Sequence, residues 1–168
     1  MEAIAIWLAE TSASDVIQKT LWVIPVTQTI HILSIAMVFC SVVMIEFRIL
    51  GVTTSQTIEE TANRFVPWIF GGVVVLALTG SVLIIGEPKR SLPSYEFQMK
   101  MLYLAVAIGF TIAFVRSVRQ HASVWATASG TTATANGRTL VNVLAVIALL
   151  VWGMVVVYGR WIAYTVPH

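Results

Sequence analysis

An ionisable histidine, His31, lies inside the long apolar run 21–47. A run of this length can cross a bilayer, which requires about 20 predominantly apolar residues. An ionisable side chain within a membrane span is energetically costly and is therefore a functional candidate by default. Because imidazole is also a common ligand of metals and of haem iron, His31 is the first candidate for holding a metal or a cofactor.

Polar side chains accompany His31 along the predicted first span. Thr27, Ser34 and Ser41 share its helical face, and Gln28 lies beside that face. Polar atoms in lipid must find partners within the bundle, so this face is expected to point inward. Gln28 or Ser34 would then fix the imidazole tautomer, as groups behind a metal ligand commonly do. Alternatively, the hydroxyls only bond to carbonyls one turn back.

Lys100, at the start of the predicted third span, is the second candidate. As an inward-facing cation it would pair with an anionic group, such as a haem propionate. The alternative is a lysine whose apolar stem lies in lipid while its ammonium reaches the membrane interface. The sequence therefore makes His31, Lys100, Gln28 and Ser34 the candidate cofactor-binding residues, with His31 as the candidate metal ligand.

Three interpretations of His31 remain open: a ligand of haem iron or another metal, a neutral histidine bonded across helices, and a proton relay. The other histidines, His121 and His168, fall outside the predicted spans, so a haem bound by two histidines of one chain is not expected. The second ligand would be a thioether or a partner subunit's side chain, unless that position stays open. The methionines considered as thioether ligands are Met37, Met44, Met99, Met101 and Met154.

The composition indicates an integral membrane protein. Of the 168 residues, 58% are hydrophobic and 11% are charged, and the mean hydropathy is +0.86. Soluble domains carry roughly 25% charged residues. The net charge of +2 and the lack of a basic run argue against nucleic acid as a partner. The single cysteine, Cys40, excludes an intramolecular disulfide.

Four apolar runs divide the chain, and they lack the alternation of barrel strands, so they predict helices. We expect one domain, 1–168, with an all-α fold: an integral membrane four-helix bundle. The segment 1–20 is expected to form a short amphipathic helix at the membrane interface. The predicted spans are 21–47, 67–86, 99–118 and 140–158.

Small residues in the third span, Ala105, Gly109 and Ala113, form a ridge that allows close helix approach, within one chain or in a homo-oligomer. Basic residues are equally numerous on the two sides of the predicted spans, so they do not decide the orientation. Arg116 and Arg119 follow a span end closely. We therefore expect the termini on the non-cytoplasmic side.

Three short motifs carry a family resemblance: EFRILG (46–51), LTG (78–80) and FQMKMLYL (97–104). With His31 in the first span, they resemble the CopD/HemJ-like group of small bacterial inner-membrane proteins, and in particular its four-helix members of unknown function. The resemblance implies a bacterial inner-membrane location. Similarity to the HemJ-like members implies haem b and protoporphyrinogen oxidation, and similarity to the CopD-like members implies copper uptake. The implied site residues are His31 and Lys100.

The residues and the resemblance together suggest three functions. The first is a membrane protein or subunit that binds haem b through His31 and transfers electrons to other membrane or periplasmic redox subunits, which would make it an oxidoreductase component. The second is a copper or small-solute transport component. The third is a structural accessory subunit of a larger membrane complex, in which His31 is an ordinary bonded core residue.

Overall fold

The computed structural model describes residues 2–120 and 135–165, which are almost entirely helical and contain no strand. This confirms the predicted all-α fold. In chain order the described helices are α1 (Glu2–Ala9), α2 (Ser12–Lys19), α3 (Val23–Ile49), α4 (Ile58–Gly86), α5 (Pro88–Ser91), α6 (Tyr95–Gln120) and α7 (Ala135–Thr165).

Helices α3, α4, α6 and α7 are long and apolar enough to cross a membrane. Helix α3, with 27 residues, is about 40 Å long. The hydrocarbon core of a bilayer is about 30 Å thick, so α3 can span it with residues to spare at both ends. The four predicted membrane spans are confirmed by helices at the expected places.

Helix α4 begins well before the span predicted over 67–86. Its first turn is set by a capping box, in which the Thr57 hydroxyl accepts from the Glu60 amide and the Glu60 carboxylate accepts from the Thr57 amide. Ile58 and Ala62 are buried in the core, so residues predicted to be loop are held in the helix. Pro67 lies inside the helix and does not end it.

The bundle is built from two tightly packed helix pairs. Helix α3 packs most extensively against α4, and α6 against α7, while α3 also contacts α7. A Cβ atom at Gly72 of α4 would clash with Val38 Cγ2 of α3, so only glycine allows this approach. The first pair thus brings the inward face of α3 directly against α4.

The first 20 residues form two short helices rather than the single helix expected. The Thr11 hydroxyl caps α2 by accepting from the Ser14 amide. The Gln18 side chain donates to the Gly86 carbonyl at 3.0 Å, which ties α2 to the end of α4. Helix α1 exposes Ile4 and Trp7, apolar side chains suited to a membrane interface.

Two of the three small residues that form the ridge in α6 face away from the other helices. Ala105 and Gly109 are exposed, and a Cβ atom at Gly109 would meet nothing within 4 Å. The third, Ala113, lines a cavity between the long helices. The close approach in this bundle depends instead on Gly72.

Candidate functional site

Three of the four long helices each bring one polar side chain to a common point. His31 of α3 lies 2.8 Å, from Nδ1, from the Thr79 hydroxyl oxygen of α4. The Nζ atom of Lys100, on α6, lies 3.4 Å from His31 Nε2. We call these three residues the His31 cluster. The structure thus brings together the two strongest sequence candidates, and it adds Thr79.

The hydrogen bonds of the cluster define the histidine tautomer. The Thr79 hydroxyl donates to the Val75 carbonyl at 2.7 Å, so its oxygen is left to accept from His31 Nδ1–H. With the proton on Nδ1, the lone pair of a neutral imidazole is on Nε2. A lysine ammonium can only donate, so Lys100 donates to that lone pair. His31 Nε2 is therefore presented as a base and a potential metal ligand.

Lys100 is half-buried and has no carboxylate partner among the described residues. The ion pairs in that part of the chain are Lys19–Asp15 and Arg90–Glu87, both between exposed side chains of short helices or their caps. The hydrogen-bond partner of the Lys100 ammonium is the imidazole. A cation held inside a membrane bundle without a counter-charge is costly, which makes it a strong candidate for binding an anion.

Two glycines flank the cluster. A Cβ atom at Gly80 of α4 would meet His31 Cε1 at 3.6 Å and nothing else within 4 Å. A Cβ atom at Gly159 of α7 would meet the end of the Lys100 side chain, with Nζ at 3.4 Å. Beside them, Tyr103 of α6 stacks on Tyr158 of α7 with ring centroids 5.4 Å apart. At these two glycines, helices α4 and α7 therefore carry no side chain where they pass His31 and Lys100.

The cluster does not lie at the middle of the bundle. His31 is about 12 Å along α3 from Val23, at a rise of about 1.5 Å per residue. Lys100 lies in the second turn of α6. This is the half of the bundle against which α1, α2 and α5 pack, so the imidazole lies nearer that end of α3 than its middle.

Two other predicted site residues do not join the cluster. Gln28 is exposed, and the Ser34 hydroxyl is buried but donates to the Ile30 carbonyl of its own helix at 2.8 Å. Among the described residues the hydrogen-bond partners of His31 are Thr79 and Lys100. The tautomer is therefore held by Thr79. A sequence signal for it existed, since Thr79 is a polar residue inside the apolar second span, in the LTG motif.

Three of the five methionines considered as thioether ligands lie on the outside of the bundle. Met44, Met101 and Met154 are exposed on the bundle surface. Within the described ranges, no group of three or more histidine, cysteine, aspartate or glutamate side chains is placed to hold a metal. His121 and His168 lie outside the described residues. Any metal at this site would therefore depend on His31 in the described part of the chain.

A second polar site lies at the other end of α3, and the sequence reasoning did not single it out. Glu46 is only 8% exposed, and its Oε2 atom has no hydrogen-bond partner. The carboxyl lines a cavity of about 270 Å³ between α3, α4, α6 and α7, which we call the Glu46 cavity. The sequence carried a signal for Glu46, because an acid within an apolar span is a functional candidate.

Comparisons with known protein families, curated proteins and solved structures find no match to this chain. A proposal for the function of this protein therefore has to be argued from the geometry of the two sites.

Proposed function

We propose that this protein binds a b-type haem, or a similar redox cofactor, at the His31 cluster and transfers electrons within the membrane. His31 would be the axial ligand through Nε2, and Lys100 would pair with a carboxylate of the cofactor. The observation that carries the proposal is the His31–Lys100 contact. It joins an imidazole whose Nε2 lone pair faces inward to a cation with no carboxylate partner among the described residues.

One ligand that carries both a metal and carboxylates would satisfy both groups. Thr79 already holds the imidazole by its Nδ1 hydrogen, as carbonyls and hydroxyls do behind metal-bound histidines. Lys100 would release Nε2 and turn its flexible stem so that the ammonium reaches a carboxylate. Gly80 and Gly159 add no side chain at the point where a flat group would approach the pair.

The bound haem would supply one-electron chemistry, and the residues would control its position and environment. Thr79 would keep the ring orientation and raise the basicity of Nε2. Lys100 would neutralise a carboxylate that is otherwise costly to bury. The apolar helices would exclude water from the site. The second axial position would be open or supplied by another subunit, because the described residues provide no second imidazole near His31.

The proposed location is the bacterial inner membrane, with the termini on the non-cytoplasmic side. Four membrane-spanning helices support a multi-pass membrane protein. The His31 cluster would then lie in the leaflet nearer the non-cytoplasmic surface. This suits exchange of electrons with a periplasmic partner or with a second membrane subunit.

An absorption spectrum tests the proposal directly. The protein is expressed with ample haem, purified in detergent and assayed for a Soret band and a pyridine haemochrome. We expect stoichiometric haem in the wild type, none in His31→Ala, and a several-fold weaker haem affinity in Lys100→Met. The controls are Leu33→Ala, an exposed position on α3, and Lys19→Met, an exposed lysine at the same end of the bundle.

The controls should retain full haem. Absence of a Soret band in the wild type contradicts the proposal. Haem that survives His31→Ala with an unchanged spectrum contradicts the ligand assignment alone.

A second function, binding or transport of a small anionic solute, is favoured by Lys100. Its ammonium suits a carboxylate or an inorganic anion, and His31 Nε2 would accept from any acidic proton that the solute carries. In that case anion binding would require Lys100 and persist in haem-free protein. No geometric observation favours the copper alternative, since three of the methionines considered for it are exposed.

A further inference from the structure

The Glu46 cavity lies between all four long helices, at the opposite end of the bundle from the His31 cluster. Its walls are mainly apolar and include Phe110 and Phe114 of α6 and Trp152 of α7. His31 and Glu46 are separated by roughly 22 Å along the α3 axis. A ligand in this cavity would therefore be distinct from one bound to the His31 cluster.

Of the described residues that line the cavity, Glu46 is the one that carries an ionisable side chain. Its side chain is more than nine-tenths buried, and Oε2 makes no hydrogen bond. An unpartnered buried oxygen costs about 1–3 kcal/mol, and more when it is charged. Natural structures leave few such atoms unsatisfied, so a donor group from a bound molecule would complete the hydrogen bonding of Oε2.

The side chains that line the Glu46 cavity indicate which kind of hydrogen-bond donor a ligand would bring. Among the described residues that line the cavity there is no lysine, arginine or histidine, so none of them offsets a negative charge on Glu46. The lining includes the aromatic residues Phe110 and Trp152, and the faces of aromatic rings attract cations. The Thr111 hydroxyl donates to the Ala107 carbonyl at 2.9 Å, which leaves its oxygen able to accept a further hydrogen bond.

The size of the cavity limits the ligand. An apolar cavity of about 150 Å³ in another protein holds benzene. A volume of about 270 Å³ therefore admits one ring, or an aliphatic group of similar size, together with a short polar substituent.

We propose that the Glu46 cavity binds a protonated amine that carries one small apolar group. The Glu46 carboxylate is the counter-charge, and the aromatic walls enclose the apolar group. Such a molecule partitions to the membrane interface and reaches the cavity from there, one turn from the end of α3. This site is independent of the proposed haem site.

Benzylamine is the probe, with benzyl alcohol and toluene as neutral probes of the same size. Binding to the purified protein in detergent is measured by isothermal titration calorimetry. We expect benzylamine to bind at least tenfold more tightly than either neutral probe. Glu46→Gln should weaken benzylamine binding at least tenfold, while Glu59→Gln, an exposed acid at the same end of the bundle, should not change it.

A second variant keeps the test decisive if Glu46→Gln folds poorly. Ala148→Leu adds apolar volume to the cavity wall and leaves the carboxyl in place, so it should also abolish benzylamine binding. The proposal is overturned if the wild type does not bind benzylamine, if benzyl alcohol or toluene binds as tightly, or if both cavity variants bind like the wild type. None of these outcomes affects the haem measurement, which depends on His31.

Discussion

His31 and Glu46 lie on the same helix, but their polar atoms meet different surroundings. Both nitrogens of His31 have partners, Thr79 on α4 and Lys100 on α6. Glu46 Oε2 has none, although its side chain is the more deeply buried. The first site is held together by hydrogen bonds between protein groups, while at the second one carboxyl oxygen has no partner. Buried polar groups within one bundle can thus stabilise it at one end and strain it at the other.

The largest expected effect is that removing Glu46 and removing His31 change the free energy of unfolding in opposite directions. In ligand-free protein, Glu46→Leu removes an unpartnered buried carboxyl and should raise the free energy of unfolding by about 1–3 kcal/mol. His31→Leu leaves Lys100 and Thr79 without their partner and should lower it by about 1–3 kcal/mol. Unfolding in mixed micelles, followed by circular dichroism, measures both. If the two variants shift stability in the same direction, this comparison is wrong.

The second prediction concerns the contact of α3 with α4, on which both regions depend. Gly72→Ala places a methyl group against Val38 and should lower the free energy of unfolding by about 1–3 kcal/mol. Gly71→Ala meets nothing within 4 Å and should raise it slightly, by roughly 0.5–1 kcal/mol, because alanine favours the helix. The same unfolding assay compares them. Equal effects at the two positions would contradict the close approach at Gly72.

The third prediction concerns the start of α4, at the end of the bundle nearer Glu46. Thr57→Ala removes the capping box at the end nearer Glu46 and should lower the free energy of unfolding by about 1 kcal/mol. Thr53→Ala, at an exposed position in the preceding loop, is the matched control and should change little. Hydrogen exchange should show faster opening of the first turn of α4 in Thr57→Ala only. Unchanged exchange there would mean that packing of Ile58 and Ala62 alone holds the turn.

The smallest expected effect is the coupling within the His31 cluster. A double-mutant cycle of His31→Ala with Thr79→Val should give a coupling energy of about 0.6 kcal/mol, typical of hydrogen bonds between membrane helices. A cycle of Thr79→Val with Glu46→Gln should give almost none, since the two sites share no partner. Comparable values in both cycles would show that the two regions are energetically linked.

The sequence itself determined the four spans, because hydrocarbon admits only helices and closed barrels, and the long apolar runs lack the alternation of barrel strands. It also made His31 and Lys100 candidates, because a titratable group in a span is costly wherever it lies. The early start of α4 was not predicted, although the Thr57–Glu60 capping box is a local sequence pattern that accounts for it.

Tertiary structure alone decided which polar groups meet. The helical period shows which residues share a face, but not which neighbouring helix covers that face or at what depth. The rotation of α4 and α6 about their axes, and their shift along the axis of α3, place Thr79 and Lys100 against His31. The same arrangement leaves Gln28 exposed. It also leaves no partner for Glu46 Oε2, because side-chain packing between distant segments, and not local sequence, sets the distances between atoms on different helices.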